Sequence, residues 1–343
     1  MHAAALLHPV MGSNPVMGRA DLDSTYAGLR QAVAWRVVAR DGVIVSGPGA
    51  RDWLQGQLSQ DISTLGDEVH SRETLILSPQ GKIDCYSRVA WMEDDAFLLD
   101  VRSGYGELLL ERLRRFKLRV KADLELVDDL QVAELRGPGL QAGGSTTVDG
   151  TREPLAVIAV DWPGWCGRDV VFRAGGVGID ASLLGLGALG SGADEAFEAA
   201  RIEAGVPELG VELTDRTIPQ EAGDLVAHTV SFTKGCYTGQ ELVARIDARG
   251  SNTPRRLRGL VIEHAGPDAG PGGGDAIVTD DGDKVGEVTS VAWAPGRGAH
   301  VALGYLRRGI DVPASVVVES TAQSDDGGRR RRASARPLPL FGA

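Results

Sequence analysis

Three things are scarce in this chain of 343 residues, and each scarcity excludes something. Cysteine comes first: only Cys85, Cys166 and Cys236 occur, far apart and with no Cys-x-x-Cys pair. That spacing encodes no disulfide scaffold, no zinc ribbon and no three-cysteine iron–sulfur loop, and a sparse, odd set fits a reducing, cytoplasmic compartment. Long apolar runs are also missing. No window approaches the ~20 residues that cross a bilayer. Pro9 and Pro15 interrupt the apolar start, which no basic stretch precedes, so neither a membrane span nor a signal peptide is expected. Positive charge is the third: 36 Lys and Arg against 47 Asp and Glu give a formal charge of -11. Nucleic-acid binders displace counterions with a basic surface, so direct nucleic-acid binding is not expected. The Arg329–Arg332 run follows Gly327-Gly328 and reads as part of a mobile, solvated tail.

What is present is ordinary for a globular protein: 43% hydrophobic and 24% charged residues, over a length suited to two or three packed units. The patterns give an α+β body followed by a small β-domain. Residues 1–27 read as a disordered lead-in, 28–253 as a body of two α+β subdomains, 254–322 as a C-terminal β-barrel and 323–343 as a flexible tail. In the body, strands are expected at Val33–Val38, Gly42–Ser46, Glu73–Leu77, Tyr86–Trp91, Phe97–Val101, Leu118–Leu126, Ala156–Val160 and Val170–Phe172. Helices are expected at Ala50–Gln57, Glu107–Arg115 and Ala193–Ala204, the last entered through Ser191-x-x-Asp194 and stopped by Gly205. Gly143–Gly150 is a loose connection. After Pro254 the texture changes to short strands at Leu257–Ile262, Ala276–Thr279, Lys284–Val291 and Val316–Glu319, divided by Gly, Pro and Asp turns.

One segment carries chemistry. In Lys234-Gly-Cys236-Tyr-Thr238-Gly-Gln-Glu241, Thr238 and Glu241 have the spacing of a capping box at a helix start, with Glu241 and Arg245 four apart on that helix and Gly250 to end it. Cys236 then lies just outside a helix N-terminus, two residues after Lys234, where positive potential favours thiolate over thiol. Gly235 and Gly239 allow the curvature that would display the sulfur. The plain alternative is a small buried core cysteine.

Together with Arg201-Ile-Glu203-Ala-Gly205, Ile218-Pro-Gln220, Trp53-Leu-Gln-Gly-Gln-Leu-Ser-Gln-Asp61, Leu77-Ser-Pro-Gln-Gly-Lys82, Gly286-Glu-Val-Thr-Ser290 and Ala302-Leu-Gly-Tyr305, this segment resembles the YgfZ-type folate-binding branch of the glycine-cleavage T-protein superfamily. The resemblance covers roughly Val33 to Ser320. It implies a tetrahydrofolate-binding protein that supports iron–sulfur client enzymes and, through them, tRNA modification, with a body built around a central folate cavity. The alternative it implies is a folate-dependent aminomethyltransferase or demethylase. Residue by residue, it makes Cys236 the reactive thiol, facing the folate cavity. Glu203 would grip the pterin, a role its unfavourable place in the last turn of a helix also suggests. Trp162 or Trp165 would offer an aromatic face, where Trp162 reads equally as a strand-end residue. The family's other tryptophan position falls on Arg40. Tyr237, beside the thiol, would contact the folate, and Lys234 and Arg245 would meet the glutamyl tail or simply be solvated. Asp84 stands where T-proteins carry paired aspartates, but Cys85 replaces the second, and Asp84 reads as an ordinary strand-end residue.

Overall fold

The computed structural model describes residues 19–66, 69–93, 95–138, 140, 154–174, 193–263, 266–267, 270–320 and 330–340. The Gly143–Gly150 connection and the Ser191 cap lie outside these residues.

Seven antiparallel strands make one sheet. They are β1 (Ala34–Ser46), β2 (Ser71–Leu77), β3 (Ile83–Glu93), β4 (Ala96–Arg102), β5 (Asp123–Arg136), β6 (Ala156–Trp162) and β7 (Trp165–Arg173), in the order β2-β3-β4-β1-β5-β7-β6. The two strands predicted over Val33–Ser46 are one. Asp41-Gly42 looks like a turn but forms a bulge, between the Arg40 and Gly42 pairings with β5. The bulge has a use: the Asp41 carboxylate accepts from the Gly104 and Gly106 amides at 2.8 and 3.0 Å, fixing the start of α3 (Gly106–Arg115). β5 begins later and runs further than the alternation at Leu118–Leu126 suggests, because its partner is the whole length of β1, from Ala34↔Arg136 to Ser46↔Asp123.

This sheet is strongly curled. At about 4.8 Å per strand, β3 and β7 would lie roughly 19 Å apart in a flat sheet. Yet Arg88 of β3 bonds Asp169 of β7 directly. The outer strands therefore face one another across a concave interior, which Leu98, Val127, Leu130, Val132, Ile158 and Val171 fill with apolar side chains. The other face is covered by α2 (Ala50–Gln57), whose Trp53 and Leu54 are buried, and by α3, through Leu109, Leu110 and Leu113. Each fully buried Leu of this kind contributes about 1.5–3 kcal/mol over its exposed state.

Beyond the sheet, α4 (Ala193–Ala204) ends at Gly205, held at φ +75°, and two short helices follow, α5 (Leu225–Thr229) and α6 (Gln240–Asp247). The C-terminal domain is a closed six-stranded barrel, as expected: β8 (Arg255–Ile262), β9 (Ala276–Val278), β10 (Lys284–Ala294), β11 (Ala299–Arg307), β12 (Ala314–Glu319) and β13 (Arg330–Arg336), in the order β10-β11-β8-β13-β12-β9.

Both chain extremes depart from the sequence reading. Arg19–Gln31 is a helix, α1, running through the last part of the expected lead-in. Its Leu22, Tyr26 and Leu29 fall at helical spacing and pack with Phe197 of α4 and Trp165 of β7. The arginine-rich tail is instead the strand that closes the barrel. Arg332, Ala333 and Ala335 pair with Val317, Val316 and Ala314 of β12, and Ala335 also pairs with Leu260 of β8. The alternation is hidden because its inward residues are small alanines rather than large apolar side chains.

Candidate functional site

The cysteine loop is pinned on both sides of the sulfur. Lys234 turns inward, and its ammonium donates to the backbone carbonyls of Gln55, Leu58 and Gln60 at 2.6, 2.7 and 2.9 Å. Burial pushes this amine down to about 8, against the attraction of Asp61. Tyr237 is sunk in the core beside Leu77 and Val243, with the Lys234 ammonium 5.3 Å from its ring centre. Between these two anchors Gly235 and Cys236 stand exposed. The display of the thiol agrees with the sequence reading, but its cause differs: the ammonium expected beside the sulfur is spent on the 55–60 segment.

The helix start also differs. Gly239 is the N-cap of α6, at φ +83°, and no side chain caps the helix; Gln240 instead accepts the Tyr237 amide at 3.1 Å. Thr238 is one residue too early for a capping box with Glu241, and Glu241 forms no ion pair with Arg245 among the described residues. Gly239 is required by close approach. A Cβ there would lie 2.6 Å from the Ser78 carbonyl oxygen and 2.8 Å from the Leu77 Cβ. Gln220 donates to the Val243 carbonyl at 2.9 Å and docks the same helix. The sequence segments around 55–60, 77–82, 218–220 and 231–241 thus converge on one framework beneath Cys236.

Two adjoining cavities open on the concave side of the sheet. The larger, about 250 Å³, is lined by Tyr86, Trp162, Pro163, Pro207, Leu338 and Pro339, with Arg72, Glu73, Asp161 and His228 among its polar residues. The smaller, about 90 Å³, shares Glu73, Tyr86, Trp162, Val206 and Pro207 with it and adds Arg36, Arg40, Arg88, Arg102, Arg136 and Arg201. Burial, then the neighbouring Glu73 carboxylate, pushes the Tyr86 phenol well up.

Behind the cavities runs a buried ladder of charges. Arg40 and Arg88 each grip Asp100 through two nitrogens, at 2.7–3.0 Å. Arg88 also meets Asp169, which Arg136 reaches at 2.5 Å. Burial alone would raise the Asp169 carboxyl, but Arg136 and Arg88 overcome it and hold it down at about 2. Three arginines face two aspartates in this chain of contacts. The Arg136 guanidinium lies 4.6 Å from the Trp162 ring centre, and its buried Nε and Nη2 have no hydrogen-bond partner.

Of the residues given a part in folate binding by the sequence, Trp162 lines both cavities. Glu203, Trp165, Lys234, Tyr237 and Arg245 line neither. Glu203 is fully buried: Tyr26 donates to its Oε2 at 2.5 Å and Arg297 to its Oε1 at 2.5 Å. Its unfavourable place on the helix is compensated by this guanidinium, and α4 turns Ala204 rather than Glu203 to the larger cavity. Trp165 is core, edge-on to Tyr26 at 6.1 Å. Arg245 is exposed and lines neither cavity, nor do Lys234, Tyr237 or Cys236. Asp84 accepts from Arg112 at 2.7 Å, and Cys85 is buried, its thiol pushed up to about 12 by desolvation. Arg40, where a tryptophan was sought, is a cation of the ladder. Glu73, Tyr86 and Arg72 escaped the sequence reading. No local signal marks them, since their neighbours come from β6 and the segment after α4.

Among the described residues no cluster of three or more His, Cys, Asp or Glu could hold a metal ion, and no helix is long and apolar enough to cross a membrane.

A family model, the glycine cleavage T-protein C-terminal barrel domain, matches residues 255–341. Curated relatives extend the likeness into the body. An iron–sulfur cluster assembly factor IBA57 homolog, mitochondrial, from Pyricularia oryzae is 29% identical over 268 residues, 75% of this chain and 64% of that protein. The tRNA-modifying protein YgfZ of Cronobacter sakazakii is 27% identical over 61% of this chain and 65% of its own, and that of Edwardsiella ictaluri is 31% identical over the same shares. The chain therefore spans slightly less than two thirds of these relatives' length. The glycine cleavage system aminomethyltransferase T from Bartonella henselae superposes with a TM-score of 0.74 over 95% of this chain and 91% of that one, at 19% identity, which shows a shared fold. Residues 255–341 are thus a glycine cleavage T-protein C-terminal barrel domain, the whole chain shares the aminomethyltransferase fold, and its sequence is similar to proteins of the YgfZ and IBA57 kind.

Proposed function

We propose that this protein binds a reduced folate in the paired cavities and supports the assembly or repair of iron–sulfur enzymes, with Cys236 as its reactive thiol. Effects on tRNA modification follow through such client enzymes. The observation that carries the reading is the junction of a ring-sized slot, walled by Tyr86, Trp162 and three prolines, with buried guanidinium donors that lack partners. A folate ring is flat and edged with carbonyl and ring-nitrogen acceptors, so an aromatic slot that ends in guanidinium donors suits it, while its dicarboxylate tail points outward. Trp162 and Tyr86 hold the ring, and Glu73 is the carboxylate placed to meet its N–H groups. Arg72, exposed at the mouth and in no ion pair among the described residues, takes the tail. These roles replace those first given to Glu203, Lys234 and Arg245. A folate bound there supplies a one-carbon carrier. The names of the relatives, an iron–sulfur cluster assembly factor and a tRNA-modifying protein, support the cellular role.

The transferase alternative is served less well. The one aspartate in the T-protein position, Asp84, is paired with Arg112, and its neighbour is a buried cysteine.

Titration calorimetry with tetrahydrofolate tests the reading. One saturable site is expected, weakened about tenfold or more by Trp162→Ala, the equivalent of roughly 1.4 kcal/mol of ring contact. Cys236→Ala is expected to bind folate like the wild type but to leave an iron–sulfur enzyme inactive in a strain lacking this protein. Absence of saturable heat, or full rescue by the alanine variant, would defeat the corresponding half.

A further inference from the structure

The barrel has a second concave site, far in chemistry from the folate cavities. Alternation along β8 puts Arg256 and Arg258 on the same face as Leu260 and Ile262, the face that fills the barrel. The register agrees: Arg256 is opposite Leu306, itself part of the barrel core, and Arg258 is opposite Gly304, which has no side chain to crowd it. The barrel interior therefore ends, on this side, in two arginines. Arg307 and Arg308 flank them from the end of β11, and the four line a cavity of about 190 Å³ with Asn252, Thr253 and Asp311.

None of these four arginines forms an ion pair among the described residues, although Asp311 lies in the same wall. The contrast with the body is sharp, where Arg88, Arg136 and Arg201 are each matched to buried carboxylates. Acidic residues outnumber basic ones in this chain, 47 to 36, so counterions were available. Like charges gathered in a concavity without a counterion repel one another and are costly to desolvate. Arg258 registers that cost: burial, then Arg256, lowers its affinity for its proton. Hydrogen bonding within the protein consumes few of the donors. Arg256 gives its Nη2 to the Ser251 carbonyl at 2.5 Å, and Arg258 makes a long bond of 3.5 Å from Nη1 to the Leu257 carbonyl.

We infer that this mouth of the barrel is an oxyanion site that takes the phosphate group of a small phosphorylated ligand. Several forked guanidinium groups suit an oxyanion with more than one negative charge better than they suit a single carboxylate. The cavity has room for a tetrahedral oxyanion. The overall charge of -11 opposes a long polyanion.

The experiment is titration of the full chain with inorganic phosphate and with pyrophosphate at low chloride. Saturable one-site binding is expected, tighter for pyrophosphate and weakened by added chloride. Arg258→Gln and the exposed Arg307→Gln should each reduce affinity, by about tenfold for the former, the loss of one charge-assisted contact. Arg173→Gln, on the far strand β7, should change nothing. Thermal melts identify a variant that has merely unfolded, and Arg307→Gln then decides. No saturation by about 10 mM ligand, a range where even weak sites show, would overturn the inference. So would undiminished binding by an Arg256→Gln/Arg258→Gln pair. A short single-stranded RNA that outcompetes pyrophosphate by orders of magnitude would reassign the site to nucleic acid.

Discussion

At the scale of single residues, Lys234 shows how a motif can be recognised correctly and its physics misassigned. Adjacency in sequence suggested an ammonium beside a thiol. Direction along an extended loop decided otherwise, because the side chains of 234 and 237 face inward while that of 236 faces out. The three carbonyls on Lys234 belong to the last turn of α2 and the residues just after it. Replacing it by a chain of similar length without donors, Lys234→Met, strands those oxygens. An unmet buried acceptor costs about 1–3 kcal/mol, and with partial relaxation the expected loss is about 2–4 kcal/mol. Urea denaturation measures it. The same variant should change the rate at which Cys236 is alkylated, since the loop loses one of its two anchors; Cys85 should stay unreactive in either protein.

Among elements, the curled sheet makes its own demand, because within its ladder of three arginines and two aspartates the Arg88–Asp169 contact joins strands that a flat sheet would hold apart. Removing one member leaves buried charge unmatched, and Asp169→Asn is expected to cost about 3–5 kcal/mol. The sign of the pH effect follows from the carboxyl being held below its usual value near 4. Its stabilisation is complete above about pH 4 and drains away as acid carries the solution toward the folded-state value of about 2. Urea midpoints across that window should fall steeply in the wild type and more gently in the variant. The elements bordering the ladder differ in how openly the sequence declares them. α2, β2, β3 and β4 were legible, since their apolar periods are complete within a few residues. β5 was not, because its boundaries are set by β1 and not by its own pattern. β13 was hidden because only alanines alternate inward among its arginines, and α1 by having only three large apolar residues, although their spacing was already helical.

For the molecule as a whole, one joint brings together parts distant in the chain. Glu203 of α4 receives Tyr26 from α1 and Arg297 from the barrel, and its backbone oxygen accepts the Leu340 amide at 2.8 Å. A sequence reading could see only that Glu203 sat badly on its helix. It could not see a guanidinium 94 residues further on. Tyr26→Phe removes one donor from a carboxylate with no access to water, at an expected cost of about 1–3 kcal/mol. The helix itself should then become more open to protease, which a time course of limited digestion reads. The trace of the barrel has a consequence for synthesis. Its first strand in chain order, β8, is flanked in space by its last, β13, and that last strand also seals β12. A nascent chain released from the ribosome only as far as β12 carries two bare strand edges, so the ring cannot shut until residue 336 has emerged. Until that moment those edges are open to capture by other chains, and a chaperone that shields them has its clearest task there.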